Sequence, residues 1–342
     1  MCMKKYLIFV LAAAIATVSC SKSFEVEPAS GTAVGFGTWT NVLTKARTAG
    51  SSDFDNGDDF NVYGFKTISS ANTEVFNGDV VSYDGTDWTY NNLRFWDPNA
   101  SSYTFYAVSP AGLIASADAQ TGEFTSNSIT FAGNDNDVLV ADKKVVAKAD
   151  YNNPVNLSFN HIASLVDFKV QKHAEIAAAT VAVTSFQLNN IDKVGSFSVN
   201  DAYTGNHPVV TWNPTARGAY SNTSGVTSVA TLPDNVGTDG SDFLINHLVA
   251  MPQTFRTDEN IQTVTIEYSI TSGGDTIANT ATFNLKTFDN VDDKDNEDTL
   301  IGGWEGGKHY TFYITINANA IVFTASITDW VTPNNGYHYL LQ

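Results

Sequence analysis

Apolar and polar residues alternate with a period of two along almost the whole chain, and a chain so patterned folds as strands. The alternation is clearest near the C-terminus. Tyr310, Phe312, Ile314 and Ile316 alternate with Thr311, Tyr313 and Thr315. Asn317-Ala318-Asn319 supplies a turn, and Ile321, Phe323, Ala325 and Ile327 then alternate with Val322, Thr324, Ser326 and Thr328. Successive side chains of a strand point to opposite faces, so this pattern predicts a hairpin of half-buried antiparallel strands. The same alternation predicts strands over 60–65, 102–108, 155–159, 165–170, 184–188 and 263–270, with another opening at Arg94 to Trp96. On the strand over 102–108, Tyr103, Phe105 and Ala107 share one face. Many short strands separated by turn residues indicate β-sandwiches. Helix-favouring content is confined to His173 to Val181 and to a turn within Ala111 to Gln120.

The N-terminus carries a different signal. Lys4 and Lys5 precede a run of 13 residues, Tyr6 to Val18, that is apolar apart from Thr17, and Ser19 and Cys20 follow. A helical span of a bilayer needs ~20 apolar residues, so this run is too short to cross. Basic start, short apolar run and small-residue end fit a secretory signal over 1–19. Cys20 at the cleavage point is the residue that a bacterial lipoprotein acylates. Residues 20–33 then read as a tether between lipid and fold. A polar stretch over 142–154 places a boundary near Asn153, giving an N-terminal domain over 34–153 and a C-terminal one over 154–342.

Composition narrows the function. The chain has 342 residues and a net charge of −18, which disfavours nucleic acid and anionic membrane surfaces as partners. Its two cysteines are Cys2, lost with the signal, and Cys20, so the exported body has no thiol for catalysis, thiolate metal binding or disulfides. No nucleophile elbow, zinc-helix motif, P-loop or dinucleotide fingerprint is present. The histidines are scattered, and His161 reads as a strand-end residue bonded to backbone. Carboxylates cluster at Asp53, Asp55, Asp58 and Asp59, over 289–298, and at Asp135 and Asp137. These read as solvated loops, because none has the calcium-loop pattern with its distal Glu. No cofactor and no metal is expected. Trp88, Trp96 and Trp304 could stack on sugars but read as core. A glycan-binding surface lipoprotein is the alternative reading.

Several segments then resemble one family when taken in order. They are Lys45-Ala46-Arg47-Thr48-Ala49, Arg94-Phe95-Trp96, Tyr103-Thr104-Phe105-Tyr106-Ala107, Asp137 to Ala141 and Val155 to Ala163. Trp304-Glu305-Gly306-Gly307-Lys308-His309 leads the last hairpin, which ends at Asp329-Trp330. This set resembles the fimbrillin (Mfa-like, type V pilin) family of Gram-negative envelopes. The resemblance implies an all-β fold of two tandem transthyretin-like antiparallel sandwiches. It implies a non-enzymatic fimbrial subunit, exported as an outer-membrane lipoprotein through Cys20 and ending in an extracellular fimbria. It implies cleavage at Arg47–Thr48, with Lys45 as a secondary position, releasing residues 20–47. The partners are then other fimbrial subunits joined head to tail. Loss of the first strand, over 33–43 with Val34, Phe36 and Val42 inward, opens a groove that a neighbour's strand fills. The candidate donor is the C-terminal tail carrying Tyr337, Tyr339 and Leu341.

Overall fold

The computed structural model describes residues 31–38, 54–133, 137–200, 203–232, 242–290, 301–318 and 321–330. The fold is all-β. The first sheet is antiparallel, with β12 (Phe159–His161), β9 (Leu139–Ala141), β5 (Ser102–Ser109), β2 (Asp59–Ile68), β3 (Ala71–Tyr83) and β4 (Trp88–Tyr90) as successive neighbours. β10 (Lys144–Ala147) pairs with the first half of β5. A two-stranded ribbon of β1 (Phe36–Thr38) and β11 (Val155–Leu157) accompanies this sheet, and its pairing is parallel.

Two further sheets use the rest of the chain. One joins β6 (Ile114–Asp118), β7 (Glu123–Ser126), β8 (Ile129–Thr130), β14 (Thr180–Val199), β15 (Val210–Asn222), β19 (Thr263–Ser272) and β20 (Asp275–Asn284). The other joins β13 (Ser164–His173), β16 (Thr231–Leu232), β17 (Asp242–Ala250), β21 (Asp289–Asn290), β23 (Lys308–Ile316) and β24 (Ile321–Asp329). β13 runs parallel to β23 and to β16. A small ribbon, β18 (Gln253–Thr254) with β22 (Gly303–Trp304), completes the set. Four strand pairings cross the proposed division at 153: β1 with β11, β9 with β12, and both β7 and β8 with β14.

Cores form where alternate side chains of facing sheets meet. Phe168 and Val170 of β13 and Phe312 and Ile314 of β23 are buried against Phe186 and Leu188 of β14 and Val264 and Ile266 of β19. Phe168 stacks on Phe312 at 4.6 Å and meets Phe186 at 5.1 Å. The hairpin over 310–327 is present as β23 and β24, paired antiparallel from Lys308–Asp329 to Ile316–Ile321.

β5 departs from the half-buried expectation, because Tyr103 through Ser109 are all buried. Tyr103, Phe105 and Ala107 enter one core with Phe60, Val62 and Phe76. Tyr106 and Val108 enter another with Tyr63, Phe65 and Phe124. The first sheet is therefore covered on both faces, the second cover being β7, whose Phe124 meets Tyr63 at 5.0 Å. The turn expected within Ala111 to Gln120 is instead strand β6, drawn into pairing with β7. His173 to Val181 holds only one 3-10 turn, Ala174–Ile176, before β14 begins. Burial of Val181 and Val183 outweighs the helix preference of the alanines. Arg94 to Trp96 forms a single antiparallel bridge, Ala33 with Phe95, and not a strand. No helix among the described residues is long and apolar enough to cross a membrane.

Candidate functional site

The segment from Thr32 to Thr38 is threaded between two stretches of backbone. On one edge, Val34 N–H donates to the Arg94 carbonyl at 2.8 Å, and Trp96 N–H donates to the Thr32 carbonyl at 3.3 Å. On the other edge, Val155 N–H donates to the Gly35 carbonyl at 2.8 Å, and Phe36, Gly37 and Thr38 register against Val155, Asn156 and Leu157. The Tyr90 hydroxyl donates to the Val34 carbonyl at 2.7 Å and accepts from Arg94 N–H at 3.2 Å. A Cβ on Gly37 would lie 2.7 Å from Asn156 Oδ1, so a larger residue here would displace the Asn156 side chain.

Alternation does the rest. Val34 is fully buried and Phe36 is 7 % exposed. The Phe36 ring meets Phe60, Phe76, Tyr90 and Phe105 in edge-on contacts, with centroids 5.5 to 6.1 Å apart. Edge-to-face pairs of this kind add ~0.5–1.5 kcal/mol each beyond area burial. Trp96 closes one end, stacked on Tyr151 at 4.7 Å. Burial pushes the Tyr151 hydroxyl up to about 12, with lesser contributions from Tyr103 and Asp97. Burial also raises Tyr90, while the hydrogen bond from Arg94 N–H opposes it. The site is therefore dry, aromatic and uncharged along its floor. It can bind an apolar strand, and it offers no nucleophile or general base.

Val34 and Phe36 are thus brought together in this slot. Val42, Arg47, Thr48, Lys45, Cys20, Tyr337, Tyr339 and Leu341 lie outside the described residues. Trp96 and Trp304 are core residues, while Trp88 is partly exposed against Phe60 at 4.9 Å.

Two expectations are corrected elsewhere. His161 is bonded through Nδ1 to the Asp137 carboxylate rather than to backbone, and its ring stacks on Trp330 at 4.0 Å. Asp137 is accordingly fully buried, not part of a solvated acidic turn. Burial raises its carboxyl, against the opposing effects of His161 and of Val138 N–H. The pair was hidden because its members stand on separate segments that only the sheet brings together. Asp58 is also buried and accepts Asp55 N–H at 2.8 Å, and Asp59 accepts Ala111 N–H at 3.1 Å. Among the described residues, no three His, Cys, Asp or Glu side chains are grouped to hold a metal.

Comparison with known proteins supplies the context. Residues 44–330 match the fimbrillin-like family. A fimbrial protein from Bacteroides vulgatus ATCC 8482 aligns over 87 % of this chain and 99 % of its own, at 15 % identity and a TM-score of 0.60. A candidate cell adhesion protein from Bacteroides uniformis ATCC 8492 aligns over 88 % and 99 %, at 14 % identity and 0.49. The C-terminally truncated tip fimbrial protein Mfa3 from Porphyromonas gingivalis aligns over 84 % and 97 %, at 10 % identity and 0.39. At such identity the first of these shows a shared fold, and the other two add no argument. No curated protein matches the chain. The family match spans most of the molecule, from just after the first strand to the end of the last hairpin, and on that ground the chain belongs to the fimbrillin-like family.

Proposed function

We propose that this chain is a structural subunit of a cell-surface fimbria that exchanges its first strand for one from a neighbouring subunit. The family it belongs to is one of structural, non-enzymatic proteins, and that supports the coarse reading. The observation that carries the finer one is the slot itself. A short strand is gripped on both edges and buries Val34 and Phe36 in an aromatic core, yet it shares only three residue pairs with β11. Removing it would leave two unpaired backbone edges and an uncovered apolar floor, which is a template for another strand. A contact made head to tail does not close on itself and so extends as a filament.

In this reading the precursor is exported as a lipoprotein through Cys20 to the outer membrane and trimmed after Arg47. The incoming strand is the C-terminal tail of a neighbour. Tyr337, Tyr339 and Leu341 repeat at the two-residue spacing that separates Val34 from Phe36. The body divides into two tandem sandwiches near Asn153. The test is cleavage of the purified precursor by an arginine-specific protease, followed by denaturing and native electrophoresis. Wild type is expected to lose its N-terminal peptide and form ladders, while Arg47→Ala stays monomeric. Equal polymerisation of both would remove the activation step from the proposal.

A further inference from the structure

Outer strands of a sheet present unpaired backbone groups, and native proteins guard such edges with proline, charge, bulges or cover. The sheet built on β14 has two margins. β15 forms one, and it is guarded. It carries Pro214 and Arg217, and three register shifts interrupt its pairing with β14. The outer edge of β3 in the first sheet is guarded too. Two register shifts bend it, and Arg94 Nε donates to its Val75 carbonyl at 3.1 Å.

β20 forms the opposite margin of the β14 sheet, and beyond its first residue it has none of these devices. It pairs with β19 from Thr263–Asn284 to Ser272–Asp275 with no register shift. The tight Gly273-Gly274 turn, with φ of 63° and 94°, joins the two strands. Residues 276–284 hold no proline and no charged side chain, although the whole chain carries −18. Among the described residues, no strand pairs with the outer side of β20. Asp275 to Ala278, Thr280 and Thr282 are exposed.

Charge and side-chain order select the occupant. A second copy is repelled by most of this acidic surface and can approach closely only where charge is absent. β20 meets that condition, and its sequence complements itself. When two copies pair antiparallel about Asn279, Thr276 faces Thr282, Ile277 faces Ala281 and Ala278 faces Thr280 of the other copy. No like charges stand opposite each other in that register. It also covers an exposed apolar group. Ala281 and Phe283 pack against the core, and Ile277 shares their face by alternation. Yet Ile277 is 65 % exposed, more than any other large apolar side chain among the described residues.

We propose that two copies of this chain join edge to edge through β20, antiparallel about a two-fold axis at Asn279. Such a contact uses the same patch on both molecules and stops at two, unlike a head-to-tail one. It needs neither trimming nor the slot around Val34 and Phe36, so it stands apart from the strand exchange.

The experiment follows the untrimmed full chain, under reducing conditions, by sedimentation velocity from micromolar to millimolar concentration. Wild type is expected to pass from monomer to dimer. Ala278→Glu/Thr280→Glu sets carboxylates against each other at exposed positions of the joint and is expected to raise the dimer Kd by about tenfold or more. Ala216→Glu, an exposed change on the guarded β15 edge, is expected to leave that Kd unchanged. Hydrogen exchange on wild type is expected to show protection within 276–282 that grows with concentration. Should Ala278→Glu/Thr280→Glu fail to fold by circular dichroism, that exchange measurement decides. A chain that stays monomeric throughout overturns the proposal. So does a dimer that Ala278→Glu/Thr280→Glu leaves intact, an equal loss with Ala216→Glu, or concentration-dependent protection on other strands and none on β20.

Discussion

The two largest cores of the molecule are closed in opposite ways. The core around Phe168 and Phe312 is closed by β23 and β24, nine residues each, paired along their whole length and flanked by a further eight pairs between β13 and β23. The core around Phe60 and Phe105 is closed by β1, three residues long, with a single bridge on its other edge. Backbone pairing holds the first closure in place. Side-chain burial, concentrated in Val34 and Phe36, holds the second. An element retained mainly by two apolar side chains can be replaced by any strand that offers equivalent ones, whereas a fully paired hairpin cannot. In the proposed reading this difference separates a permanent wall from an exchangeable one, and local stability is expected to differ accordingly.

Substitutions on each side test this contrast. Phe312→Ala removes a fully buried ring stacked on Phe168 and is expected to cost ~3–5 kcal/mol in denaturant unfolding, in both the intact chain and one trimmed after Arg47. Phe36→Ala is expected to cost about 3 kcal/mol in the intact chain, and the trimmed and washed protein, lacking that residue, should match trimmed wild type. If trimmed wild type is as stable as the intact chain, β1 closes nothing and the contrast fails. Tyr90→Phe deletes the hydrogen bond to the Val34 carbonyl together with the one accepted from Arg94 N–H, and should cost about 1 kcal/mol more in the intact chain than in the trimmed one.

The smallest effect concerns pH. Lys66 bonds Asp97 at 2.6 Å beside Trp96, and with Asn99 N–H it holds that carboxyl below its ordinary value. A depressed folded value means the contribution is present above the unfolded pKa of ~3.9 and is lost as pH falls through the folded one. Asp97→Asn should therefore flatten the acid side of a melting-temperature profile by less than about 1 kcal/mol, and leave neutral pH changes correspondingly small.

The long alternating strands were legible in the sequence because one face met a core and the other met water, as in β23 and β24. β5 was legible as a strand but not as one buried on both sides, since Tyr106 and Val108 acquire their cover from β7, a distant segment. The apolar parity of Val34 and Phe36 was readable, while the hydroxyl of Tyr90 that grips their backbone was not, because 56 positions separate it from Val34. The glycine pair of 306–307 was noticed as a motif, and packing explains it. A Cβ on Gly306 would lie 2.7 Å from the Ile162 carbonyl, and Gly307 has a φ of 73°.

The direction of β1 has a consequence for assembly. It runs parallel to Val155–Leu157 on one edge, and Ala33, just before it, bridges antiparallel to Phe95 on the other. A visitor entering head-first or tail-first would still find one companion of each sense, simply exchanged. Backbone polarity is thus a weak gatekeeper at this position. Under the proposed strand exchange, discrimination falls to the two hollows that Val34 and Phe36 occupy, and the choice of neighbour in a growing fibre would be written in the size and spacing of a pair of apolar side chains.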